Sequence, residues 1–129
     1  MALNVEIVTP TQTAFSGQAL EVQAPGFLGE FGVLPEHTLF LSVVKAGVVT
    51  VITEAGPTSY VVGRGFAEAG PDRISLLTEI CEEGSSVDKD AAKTLLEESE
   101  GTMASSDPSS GEFAHAERQA EIARARLAV

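Results

Sequence analysis

Few residues in this chain have types that could do chemistry: two histidines, one cysteine, a short acidic run and a Gly-Arg-Gly triplet. His37 and His115 stand in different segments, and neither has a cysteine or a second histidine beside it. A metal site needs three or four donors at defined spacing, so the expectation is no metal. Cys81 is alone, which excludes a disulfide frame and suits a small apolar residue. Gly63-Arg64-Gly65 lacks the lysine and hydroxyl residue of a phosphate-cradling loop and reads as a turn between strands. Glu79, Glu82 and Glu83 read as a solvated strand end. No acid–base pair can be assembled from these groups. The residues on their own thus support no active site, and no catalytic residue or cofactor is expected.

Composition narrows the partners. The 129 residues carry a net charge of −11, and the isoelectric point is near 4.4. Such a chain repels phosphate backbones and anionic lipid heads, so neither nucleic acid nor direct lipid insertion is expected. There is no 18-residue apolar run. MALNVEIVTP has no basic start and no long apolar core, which predicts no signal or transit peptide.

The elements that must position any site fall into two blocks. Residues 1–84 carry the period-2 pattern of half-buried strands. Val5 and Ile7 open it, and TPTQTAF follows as a turn or short second strand. Leu20, Val22 and Ala24 alternate with Glu21 and Gln23. The stretch Gly26 to Leu41 is apolar with glycines at 26, 29 and 32, which predicts strand, tight turn, strand, then a loop from Pro35 to Thr38. Phe27, Leu28, Phe31, Val33 and Leu34 there call for burial, and Phe40 and Phe66 are assigned mainly to the core. Leu39–Val44, Val48–Thr53, Thr58–Val62 and Ile74–Thr78 are further strands, with turns at Ala46-Gly47, Ala55-Gly56-Pro57 and Gly70-Pro71-Asp72. The fold class expected is an N-terminal antiparallel β-sandwich with a C-terminal two-helix hairpin.

Residues 85–129 form the second block. Ser85 or Ser86 is the expected N-cap of a first helix ending at Gly101. Residues 101–111 read as a flexible loop, and Glu112 to Leu127 as a second helix. Phe113, Ala116, Ala120, Ala123 and Leu127 make a heptad-like seam. Alanine buries little area, so weak packing and a movable hairpin are expected.

Gly29, Glu30, Phe31, Gly32, Val33, Leu34, Pro35 and His37 resemble the signature of the epsilon subunit of the F-type ATP synthase. Gly47-Val48-Val49 and Gly65-Phe66-Ala67-Glu68 resemble two further elements of that family, in the same order. The resemblance implies a non-catalytic rotor subunit at the foot of the central stalk. It would bind the gamma subunit and c-ring, couple proton flow to rotation and lie peripherally on the cytoplasmic face of a bacterial inner membrane. The interface it implies is Gly29, Glu30, Phe31, Gly32, Pro35 and His37. It also implies a regulatory tail that meets the alpha and beta subunits through Arg118, Arg124 and Arg126 and restrains hydrolysis. Some relatives bind ATP through a hydrophobic-D-x-x-R-A motif. Here Val87-Asp88-Lys89-Asp90-Ala91-Ala92 has Ala91 in the arginine's place, so no ATP binding is expected. The residues alone leave two other readings: a free-standing sandwich that binds a small ligand, and a small enzyme with its site on the turns.

Overall fold

The alternation in the first strand is literal. Leu3, Val5 and Ile7 are buried while Asn4 and Glu6 face solvent along β1 (Leu3–Val8). A computed structural model describes residues 2–26, 29–35 and 39–129. The expected burial of Phe27 and Leu28, and the role of His37, lie outside the described residues.

Nine more strands follow: β2 (Thr13–Ala19), β3 (Glu21–Gly26), β4 (Gly29–Val33), β5 (Phe40–Val44), β6 (Gly47–Thr53), β7 (Gly56–Val62), β8 (Gly65–Ala69), β9 (Arg73–Thr78) and β10 (Cys81–Glu83). Their pairing makes two five-stranded halves. One runs β10-β7-β6-β3-β4 and the other β5-β8-β9-β1-β2. They join at a corner where Gly26 pairs with Val44 and the Lys45 amide donates to the Pro25 carbonyl. All pairs are antiparallel except β1 with β9, which run parallel. Val22, Ala24, Val33, Val49, Val51, Tyr60 and Val62 from the first half meet Leu3, Val5, Ile7, Val44, Ala67, Ile74 and Leu76 from the second. Burying a side chain of Val, Leu or Ile size contributes about 1.5–3 kcal/mol, so this shared interior is the main source of cohesion.

Two glycines are required by the backbone. Gly29 takes φ 131° at the tight β3–β4 link, a region closed to most side chains. A Cβ on Gly26 would sit 2.7 Å from the Gly29 carbonyl oxygen. The strand–turn–strand expected here is therefore a hairpin, Val22 opposite Val33 through Gly26 opposite Gly29. Two expectations of burial fail in this half of the chain. Leu34 and Phe66 are exposed, at 55% and 54%. Leu34 lies just past the last rung of β4. Phe66 falls on the outward parity of β8, whose inward residues are Ala67 and Ala69.

The tail is two helices, α1 (Lys89–Ser105) and α2 (Gly111–Ala128). The expected cap at Ser85 or Ser86 is replaced by Asp88, whose carboxylate accepts from the Ala91 amide at 3.1 Å. Gly84–Ser86 instead forms a 3-10 turn, and Val87 is extended. Gly101 does not end α1, which continues to Ser105. Glycine inside a helix costs only about 1 kcal/mol, and packing against α2 overrides it. The loop thus shortens to residues 106–110, and it is organised. Asp107 Oδ1 accepts from the Ser109 amide and hydroxyl at 2.9 and 2.8 Å. Ser110 then caps α2.

Candidate functional site

The residues singled out in the sequence do not converge. Gly29, Glu30 and Gly32 lie exposed on β4. Phe31 is half-buried, its ring edge-on to Phe40 with centroids 5.5 Å apart, and Pro35 is half-buried. Arg118, Arg124 and Arg126 lie on α2 in different situations. Arg118 and Arg124 are exposed with no ion pair among the described residues. Arg126 is half-buried and held, with Nε donating to Glu82 Oε1 at 2.8 Å and Nη2 to Glu82 Oε2 at 2.7 Å.

The outer faces of the two halves are where the molecule has surface to offer. On the second half, Val43 pairs with Phe66, Phe66 with Leu77 and Leu77 with Val8. The first three are 48%, 54% and 51% exposed. Leu41, two residues before Val43, is 71% exposed on the same parity. Leu34, after β4, and Leu39, before β5, are exposed as well. A contiguous row of large apolar side chains on a charged protein marks a place where something docks. Close approach is built into this row, since a Cβ on Gly65 would lie 1.9 Å from the Leu77 carbonyl oxygen.

The first half carries α2 on its outside. Tyr60 and Val62 of β7 point inward, so Val61 between them points outward, yet it is fully buried. Val61 pairs with Val48 and Glu82, and α2 crosses β6 and β7. The helix has two buried rows. Ala116, Ala120 and Ala123, with half-buried Phe113 and Leu127, are the seam read from the sequence. Ile122 and Ala125 form a second row that the heptad reading missed. By helical period Glu121 and Arg126 flank this second row on opposite sides. Glu121 accepts from Arg64 Nε at 2.9 Å and Nη2 at 2.6 Å, and Glu117 lies 3.5 Å from the same guanidinium. Hydrogen bonding to Glu121 raises Arg64 further above its usual value, and Glu82 does the same for Arg126. Nothing in the one-dimensional pattern could pair residues 57 apart.

A groove of about 860 Å³ lies where α2 meets the β5–β6 link, its lining including Val43, Ala46, Phe66 and Ala125 with the charged Lys45, Arg64, Glu121 and Arg124. Cys81 beside Glu82 is half-buried, and burial pushes its thiol up to about 11 with a smaller push from Glu82. This is the opposite of an activated nucleophile. No cluster of metal-ligating side chains occurs among the described residues.

A five-on-five sandwich with a docked helical hairpin and an open apolar row has the build of a docking subunit. Comparison with known proteins makes that particular. The family model of the ATP synthase Delta/Epsilon chain β-sandwich domain matches residues 2–84. An ATP synthase epsilon chain of Moorella thermoacetica is 36% identical over 127 residues, covering 98% of this chain and 94% of that one. Another from Myxococcus xanthus is 40% identical over 101 residues, covering 78% of this chain and 74% of the relative. A chain in the Euglena gracilis mitochondrial ATP synthase (OSCP/F1/c-ring) superposes with TM-score 0.85 at 19% identity, covering 98% of this chain and 80% of that one, a likeness of fold. The chain belongs to the delta/epsilon family of ATP synthase, as a non-catalytic subunit of the central stalk. Among the described residues no helix is long and apolar enough to cross a membrane.

Proposed function

We propose that the open apolar row Val43–Phe66–Leu77 is the surface by which this chain docks on the gamma subunit. The β3–β4 hairpin with Gly29, Glu30, Phe31 and Gly32 then turns toward the c-ring, on the cytoplasmic face of a bacterial inner membrane, and Pro35 and His37, further along the sequence, belong to the same interface. The observation that carries this reading is the exposure of three large apolar side chains in one cross-strand row. Phe31 contributes by packing against Phe40, so it shapes the hairpin from inside. The interface is thereby wider than the glycine-rich hairpin and centred on a row that includes Phe66, which the sequence alone places in the core.

The hairpin of α1 and α2 supplies regulation. In the docked state Arg118 and Arg124 are the tail arginines free to meet acidic groups of the alpha and beta subunits, while Arg126 is engaged by Glu82. Assembly tests the first part. Phe66→Asp should leave the isolated chain folded and abolish recovery of gamma and c-ring subunits in a pull-down from membranes. Undiminished recovery overturns the assignment. Deleting residues 85–129 tests the second. ATP hydrolysis by the reconstituted complex should rise with synthesis largely retained, and unchanged hydrolysis removes the regulatory role.

A further inference from the structure

We propose that Arg64–Glu121 and Arg126–Glu82 form a reciprocal clasp that sets, in a salt-sensitive way, whether the hairpin lies on the sandwich. The polarity of the two pairs is opposite. In one the sandwich supplies the arginine and α2 the carboxylate; in the other α2 supplies the arginine and β10 the carboxylate. Both are bidentate, the geometry that gives a guanidinium–carboxylate pair its direction as well as its strength. Together they hold α2 from both sides of the Ile122 and Ala125 row. A sliding or rolled helix cannot satisfy both at once, so the clasp specifies one docked pose.

The apolar contact between the pairs is small. By helical period the buried Ile122 and Ala125 fall on the face of α2 between the two ion pairs, and the alanine seam falls on another face. Charge elsewhere opposes docking. The sandwich block is net −7 and the tail −4. The two effects separate by distance. At about 0.15 M salt the screening length is roughly 8 Å, so the general repulsion between the two bodies is already damped. The clasp atoms lie 2.6–2.9 Å apart, inside that length. All four side chains are partly exposed, with relative exposures of 43% and 27% for Arg64 and Glu121 and 27% and 34% for Arg126 and Glu82. Raising salt to about 1 M shortens screening to roughly 3 Å and reaches the clasp itself. The hairpin should therefore loosen as salt rises from the physiological range.

The clasp extends the regulatory reading of the tail. It is tested on the isolated full chain, so its failure leaves docking on the stalk untouched. Spin labels at exposed positions Glu54 and Glu112, on a Cys81→Ser background, report the hairpin's position by pulsed dipolar spectroscopy. The wild type at 0.15 M salt should give one narrow distance. Arg126→Glu places a carboxylate against Glu82 and should raise the displaced population about tenfold. The exchange Arg126→Glu with Glu82→Arg should return it to within about twofold of wild type. Circular dichroism confirms that the variants keep their helices, and the salt titration of the wild type needs no substitution. A distance distribution indifferent to salt and to Arg126→Glu overturns the clasp. So does an exchange variant as displaced as the single one.

Discussion

The two outer faces of the sandwich are built from strands of similar composition and have opposite fates. On the β6–β7–β10 face an outward valine, Val61, disappears under α2. On the β5–β8–β9 face outward Val43, Phe66 and Leu77 stay about half exposed. The covered face holds smaller apolar groups, and its cover is fastened at the edges by ion pairs. The open face holds larger groups that the described residues leave about half exposed. A cover of alanines and ion pairs suits a contact that can be remade. A row of Phe, Leu and Val suits one that is buried once and kept, because each such side chain contributes about 1.5–3 kcal/mol when fully covered.

The same substitution on each face breaks this comparison most directly. Val61→Asp buries a carboxylate without a partner and should cost on the order of 3 kcal/mol of hairpin docking. The hairpin can lift away, so the loss should appear as displaced helices over an intact sandwich, visible as new proton NMR shifts confined to α2 and β7. Phe66→Asp on the open face should move stability by less than about 0.5 kcal/mol in chemical denaturation while ending assembly. Equal destabilisation by the two would erase the distinction.

A smaller effect sharpens the account of the cover. Ala120 is fully buried in the seam, so Ala120→Leu should overpack it and cost roughly 1–3 kcal/mol, measured by thermal unfolding of the helical signal. A neutral or stabilising result would mean that the seam is loose. The smallest effect lies at the far end of the hairpin. The Ser109 amide, then its hydroxyl, hold Asp107 below the ordinary carboxylate range. Its folded value is depressed, so its contribution to the turn is present above about pH 4 and fades as pH falls through the folded value. Ser109→Ala should move the Asp107 midpoint upward in an NMR titration but not fully to normal, since the backbone donor remains. An unmoved midpoint would show that the hydroxyl contributes nothing.

Much of the fold is visible in the residues because strand parity is a local property. Leu3-Val5-Ile7, Val22-Ala24 and Ile74-Leu76 each announce one buried face. Parity does not say which apolar face is inside when both are apolar. FLSVV in β5 has Phe40 and Val44 inward and Leu41 and Val43 outward, and that double-sided pattern is the signal of a second, external contact. Phe66 reads as a core residue in the sequence, but its neighbours Ala67 and Ala69 take the inward parity. The extension of α1 past Gly101 was hidden because helix propensity yields to packing. Ser85 and Asp88 are both good caps on paper, and only the extended Val87 decides between them. The clasp was wholly illegible: Arg64 with Glu121 and Glu82 with Arg126 are side-by-side only after two halves and a hairpin have been put in place.

The parallel rung between β1 and β9 carries a consequence for how the chain is made. Val5 pairs with Ile74 and Val8 with Leu77, so the first strand cannot complete its half of the sandwich until more than half of the polypeptide exists. Contacts of such long sequence separation form slowly, because loop closure precedes any gain from pairing. During synthesis the β1–β2 hairpin, with Leu3, Val5 and Ile7 unburied, must wait with an unpaired edge. The helices behave in the reverse way: α1 and α2 are adjacent in sequence and can zip together in one local step. The last part of the chain to emerge is thus the quickest to organise, and the first is the slowest to find its place.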